Sequence, residues 1–175
     1  MSQFDQSQAE CHVLTFKEGA LSALAHDLEL RVGRFTIDVA ADHSVDARFD
    51  ASSLTVLHAV KDGRPSGALS DGDKRKIEKT IVGDVLDARR YPEIHFRAPA
   101  PTQTSDGYVL AGELTLHGKT RPLEVRTRVV GASQVAEVVV HQPEFGIKPY
   151  SAMLGTLKVR PDVTIRVTTP WPAGS

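Results

Sequence analysis

Apolar and polar residues alternate one for one along most of this chain. Leu28, Leu30 and Val32 alternate with Asp27, Glu29 and Arg31, and Phe35, Ile37 and Val39 alternate with Thr36 and Asp38. Val45, Ala47 and Phe49 follow in the same phase, as do Leu110, Gly112, Leu114 and Leu116. Leu123, Val125, Thr127 and Val129 form another such run, and Val163, Ile165 and Val167 form the last. Side chains along a strand point to opposite faces with a period of two. Each run therefore has one dry and one wet face, the pattern of a half-buried antiparallel strand.

Turn formers separate the runs: Gly33-Arg34, Ala41-Asp42-His43, His117-Gly118-Lys119-Thr120 and Gly131-Ala132-Ser133, the last leading into a strand at 135–140. Short strands joined by short loops indicate an all-β sandwich or barrel. A barrel is favoured because closure leaves no free edge in so strand-rich a chain. One helix interrupts the strands at about 70–82. Ser70 can cap it, Asp71 and Asp73 suit its first turn, and Gly83 is a natural stop. Ile77, Ile81 and Val82 form its apolar stripe, while Lys74, Arg75, Lys76 and Lys79 point elsewhere as a solvated face. A shorter helical turn is expected at about 21–26. The length of 175 residues fits one domain.

Several function classes are disfavoured. Lys and Arg total 21 against 22 Asp and Glu, so no global basic footprint for nucleic acid or an anionic membrane exists. Aromatic residues are only 6%, too few for a base-stacking platform. A single cysteine, Cys11, excludes an intramolecular disulfide and a cysteine-rich zinc site. It stands next to His12, and neighbours on a strand face opposite sides, so the pair cannot act as nucleophile and base. The seven histidines show no local ligand spacing, so no metal site is assigned. Residues 112–120 (GELTLHGKT) have one residue too many between the glycines for a P-loop, and a strand follows in place of a helix. A hairpin turn is the better reading. No apolar run is long enough to span a membrane. The polar start Met1–Gln8 lacks an apolar leader core, so a soluble cytoplasmic protein is expected.

Four stretches, in order, carry a family resemblance. They are Leu24-Ala25-His26-Asp27 with the strands through Phe35; residues 84–87 (DVLD) with 91–96 (YPEIHF); residues 109–122 (VLAGELTLHGKTRP); and Phe145-Gly146-Ile147 with Met153-Leu154-Gly155 and the final strand. The chain resembles the YceI-like, or polyisoprenoid-binding-like, family over roughly His12 to Thr168. The resemblance implies an extended, lipocalin-like antiparallel barrel of about eight strands, with a tunnel for a long apolar isoprenoid tail and no catalysis. A single domain is expected over 9–170, with 1–8 and 171–175 as flexible termini. The segment 54–84, with its basic helix, departs from the stretch common in the family.

The dry strand faces support a binder independently, since in a small barrel they either pack solid or line a cavity. The expected ligand-binding residues are Leu30, Phe35, Phe49, Phe96, Leu114 and Leu116 along the tunnel. Phe145, Tyr150 and Met153 are expected near its mouth, with His26 and Tyr150 as polar contacts for a headgroup. No cofactor is expected beyond a bound isoprenoid or quinone. The partners expected are an isoprenoid-type lipid and a possible second copy of the chain. Two alternatives stay open: an enzyme acting on an apolar substrate in the barrel, and a solid-core interaction module.

Overall fold

The computed structural model describes residues 1–20 and 25–170, apart from the side chain of Met153. The helical turn expected at 21–26 thus lies largely outside the described residues. Strands occur wherever the alternation places them, and in further places. The first eight are β1 (Ser2–Asp5), β2 (Glu10–Thr15), β3 (Lys17–Glu18), β4 (Asp27–Val32), β5 (Phe35–Val39), β6 (Val45–Asp50), β7 (Leu54–Lys61) and β8 (Arg64–Ser66). The rest are β9 (Glu93–Ala98), β10 (Thr102–Gln103), β11 (Gly107–Leu116), β12 (Lys119–Val130), β13 (Ser133–His141), β14 (Ser151–Ala152), β15 (Leu157–Val159) and β16 (Asp162–Pro170). Among the described residues there are sixteen strands where about eight were expected, because several are two- or three-residue pieces.

Twelve strands form one continuous antiparallel path, β1-β5-β6-β9-β11-β12-β13-β16-β2-β4-β7-β8, with β10 added beside β11. A small sheet, β14-β15-β3, stands apart. The large sheet curls into an open barrel. Among the described residues no ladder joins β1 to β8, so strand pairing does not close the sheet as expected. A helix manages the exposed edge instead. The Glu78 carboxylate accepts a hydrogen bond from the Val56 amide of β7 at 2.8 Å, satisfying a strand donor with no strand partner there.

That helix, α1, spans Asp71–Thr80. Its start follows the sequence: the Ser70 hydroxyl accepts from the Asp73 amide, and the Asp73 side chain accepts from the Ser70 amide, a reciprocal capping box. Its end does not. Gly83 fails to stop the chain, which continues as a π-helical turn over Ile81–Val85, with the Leu86 amide bonded to the Ile81 carbonyl at 2.9 Å. The reversal comes at Asp87, whose φ of 46° is left-handed. Ile77, Ile81, Val82 and Leu86 pack onto the core formed by β2, β4, β5, β6 and β7, so α1 and its extension wall the barrel.

The hairpin β11–β12 turns on two residues, His117 (φ 53°) and Gly118 (φ 73°), both left-handed as a tight antiparallel hairpin requires. This confirms the hairpin reading of 112–120. The expected loose N-terminus is instead ordered at 2–5. There β1 pairs with β5 in the register Ser2↔Val39 to Asp5↔Thr36, and Phe4 packs on the core.

Candidate functional site

The alternation has a direct spatial consequence. Ten strands send alternate residues inward, and these residues line a cavity of about 750 Å³ rather than filling it. From β4 come Leu28, Leu30 and Val32; from β6 come Val45, Ala47 and Phe49; from β16 come Val163, Ile165 and Val167. Their outward neighbours, such as Glu29, Arg31, Asp46 and Arg166, do not line it. The helical wall adds Ile77, Ile81, Val85 and Leu86. A volume of this size sits in the upper part of the ~300–1,000 Å³ range of small-molecule sites.

The expected binding residues divide. Leu30, Phe49, Phe96, Leu114, Leu116, Tyr150 and His26 all line the cavity. Phe35 does not: it is 5% exposed and packs against Phe49, with ring centroids 5.7 Å apart. Its alternation phase is right, but Phe49 occupies the inner position. Phe145 does not line the cavity either. It is buried in a second cluster with Leu114, Leu116, Val140 and Ile147, held there by a short 3-10 turn, Gln142–Phe145. The side chain of Met153 lies outside the described residues.

The two ends of the cavity differ in chemistry. One end lies at the β5–β6 turn and the start of β11. It carries Met1, Ala40, His43, Pro101, Tyr108, Thr127 and Gln134, with His43 stacked on Tyr108 at 5.4 Å between centroids. The other end lies beside α1 and the small sheet. It carries Lys17, His26, Lys76, Thr80, Gln142, Tyr150 and Lys158. Sequence reasoning missed these three lysines. Lys76 is exposed, as expected of the solvated face, and also stands at the cavity margin with Ile77 and Thr80. Lys17 and Lys158 sit on rim strands too short for an alternation signal.

The remaining ionisable groups do not form a reaction centre in the cavity. Cys11 lines it but is 2% exposed, and burial pushes its thiol up to about 12. It is a protonated, hydrophobic wall residue at neutral pH. The best organised charged group faces outward. Glu29 on β4 holds His12 Nδ1 at 2.8 Å and His58 Nε2 at 2.9 Å. Burial, the largest single influence, raises the Glu29 carboxyl, but the hydrogen bonds and charges of the two imidazoles together hold it below its ordinary value. His95 pairs similarly with Asp46 on the outer face of β6 and β9, at 2.9 Å. Among the described residues no group of His, Cys, Asp and Glu is arranged to hold a metal ion.

A curled antiparallel barrel around an apolar cavity, with one helical wall, places the chain in the class of all-β barrels with a hollow interior. A YceI-like domain model matches residues 4–170, nearly the whole chain, and the protein belongs to the YceI-like family. Solved structures share the fold. BcnA of Burkholderia cenocepacia superposes with a TM-score of 0.61 at 16% identity, covering 94% of this chain and 96% of that one. A polyisoprenoid binding domain from Saccharophagus degradans gives 0.59 at 10% identity, covering 98% of each chain. Among curated relatives, a UPF0312 protein of Vibrio parahaemolyticus is 31% identical over 93 residues, which is 53% of this chain and 41% of that protein. The chain thus matches less than half the length of that relative.

Proposed function

We propose that this protein binds a long apolar lipid of isoprenoid type in its barrel cavity and carries or stores it without chemical change. One observation carries the reading: alternate residues of ten strands and one face of the helical wall converge on one apolar space of about 750 Å³. An interaction module with a solid core has no need of such a space. Burying a methylene there is worth about 0.8 kcal/mol, so a tail of several isoprene units gains enough to offset the entropy of association. The polyisoprenoid binding domain of Saccharophagus degradans, with the same fold, adds support by analogy. An acid–base reaction on the ligand would need ionisable groups poised against its apolar body. The inward positions of the strands are overwhelmingly Val, Leu, Ile, Ala and Phe.

Native mass spectrometry of gently purified protein tests the proposal, followed by titration with prenyl alcohols and quinones. A co-purified lipid of isoprenoid mass, or saturable binding of these ligands, is expected. No co-purified lipid and no binding of either class would refute it.

A further inference from the structure

The small sheet ends in an exposed hairpin. β14 and β15 pair in the register Ser151↔Lys158 and Ala152↔Leu157, and a short turn over Met153–Gly155 joins them. Two backbone bonds anchor the base. The Val159 amide donates to the Tyr150 carbonyl at 3.0 Å, and the Arg160 amide donates to the Phe16 carbonyl at 2.8 Å. One side of the hairpin belongs to the cavity, which Tyr150, Leu157, Lys158 and Val159 line. The tip does not. Leu154 there is 105% exposed, and its φ of 59° is left-handed. Glycine or asparagine takes that conformation readily, whereas leucine takes it at a cost. A bulky apolar residue thus holds a place that suits neither its shape nor its contact with water. Tyr150, also exposed, stands at the base of the same hairpin.

Charge around the tip is one-sided. Residues 145–161 include Lys148, Lys158 and Arg160 and no Asp or Glu. Lys119 joins them from the β11–β12 turn, since a Cβ built on Gly146 falls 3.0 Å from its Nζ. Glu18 offsets Lys158 at 3.5 Å, and Glu144 adds one opposing charge on the preceding 3-10 turn. Lys119, Lys148 and Arg160 are exposed and have no ion-pair partner among the described residues. The whole chain is balanced, with 21 Lys and Arg against 22 Asp and Glu, so this surplus is local. Neither these three cations nor Leu154 line the cavity.

We infer that the β14–β15 hairpin docks the protein onto an anionic lipid bilayer. Leu154 enters the acyl boundary, and Tyr150 sits at headgroup level, where amphipathic aromatic rings are favoured. Lys119, Lys148 and Arg160 meet the acidic headgroups. A bilayer fits better than a protein partner. One leucine and one tyrosine among cations bury too little area for a stable protein interface, whereas shallow insertion plus charge is how a peripheral protein holds a membrane. The docking stands on this surface alone. Its use rests on the lipid-binding reading: the hairpin that meets the bilayer also walls the cavity, so a tail passes between them with little exposure to water.

Sedimentation of the full chain with vesicles tests the docking. The vesicles are pure phosphatidylcholine, or equal parts phosphatidylcholine and phosphatidylglycerol, at low and high salt. Wild type is expected to bind the mixed vesicles at least about tenfold more tightly than the neutral ones, with the gap shrinking in high salt. Leu154→Gly suits the left-handed backbone, so it keeps the fold while removing the inserted side chain. About a tenfold loss of affinity for mixed vesicles is expected of it. A Lys119→Gln, Lys148→Gln, Arg160→Gln triple variant is expected to lose the preference for mixed vesicles. A cooperative thermal transition shows that each variant is folded. Equal wild-type binding to both vesicles, or binding to neither, overturns the inference. So does Leu154→Gly binding as tightly as wild type, or a triple variant that keeps the preference. A wild-type dimer in the ultracentrifuge that Leu154→Gly abolishes also overturns it, because a second copy would then cover the tip. Geranylgeraniol binding in solution, measured in parallel, separates the two readings. Its retention without docking leaves the lipid reading standing, and docking without it leaves the docking and refutes the lipid reading.

Discussion

Gly112 is a position in the barrel wall with no room for a side chain. It faces Leu123 across the β11–β12 ladder and lies in phase with the cavity-lining Leu110 and Leu114. A Cβ built there falls 2.5 Å from the Arg97 carbonyl oxygen and 2.6 Å and 2.7 Å from the Cζ and Cε2 atoms of Phe96. The Phe96 ring can swing, but the carbonyl belongs to the paired strand β9, whose Arg97 opposes Glu113. Gly112→Ala must therefore separate β9 from β11 or bend the backbone, in addition to displacing a wall residue of the cavity. Overpacking of this kind costs about 1–3 kcal/mol, and a rigid backbone neighbour puts the case at about 3. For a domain of this size each kcal/mol lowers Tm by about 2–4 °C, so a fall of about 6–12 °C is expected. Calorimetry of wild type, Gly112→Ala and the double variant Gly112→Ala, Phe96→Leu measures it. The double variant removes the ring clash but not the carbonyl clash, so it should recover only part of the loss. A Gly112→Ala Tm within about 1 °C of wild type would refute the reasoning, as would full recovery in the double variant.

Other consequences can be checked separately. Glu78→Ala strands the Val56 amide at the open edge of β7, and a loss of about 1–3 kcal/mol in urea unfolding is expected. Ser70→Ala removes the capping box and should cost about 1 kcal/mol by the same measurement, without altering ligand binding. Because His12 and His58 hold the Glu29 carboxyl low in the folded state, Glu29 adds stability above the ordinary carboxylate range and loses it as pH falls through its folded value. Glu29→Gln should thus flatten the acid limb of the stability–pH curve, and an unchanged limb would count against the pairing. Cys11, 2% exposed with its thiol raised to about 12, should resist iodoacetamide at pH 8 in the folded chain and react readily in urea. Prompt alkylation of the native protein would show that the wall opens.

Local rules account for what was legible. The inward set Leu28, Leu30, Val32 and the outward set Asp27, Glu29, Arg31 are separated by strand geometry alone, and the cavity lining follows that split. Ser70 and Asp73 start the helix through bonds within four residues, so its beginning could be read. Its end could not. Gly83 is a permissive residue, and packing of Ile81, Val82 and Leu86 against the core carries the chain past it. The strand β1 was hidden because Ser2–Asp5 has too few apolar residues to show a period, and its partner is distant in sequence.

The site shows the same division. Alternation says which residues share a face, and by itself determined the antiparallel all-β class and the apolar character of the interior. It does not say which residues across the interior meet. Phe35 and Phe49 both point inward, and only their mutual packing leaves Phe49 on the lining. Lys76 is exposed like any lysine of a solvated helix, and only the folded chain brings it to the cavity margin along with Lys17 and Lys158. Tertiary structure alone decided that the barrel is hollow and that a helix guards its open edge. Both depend on the distance between elements far apart in the chain, which no local period encodes.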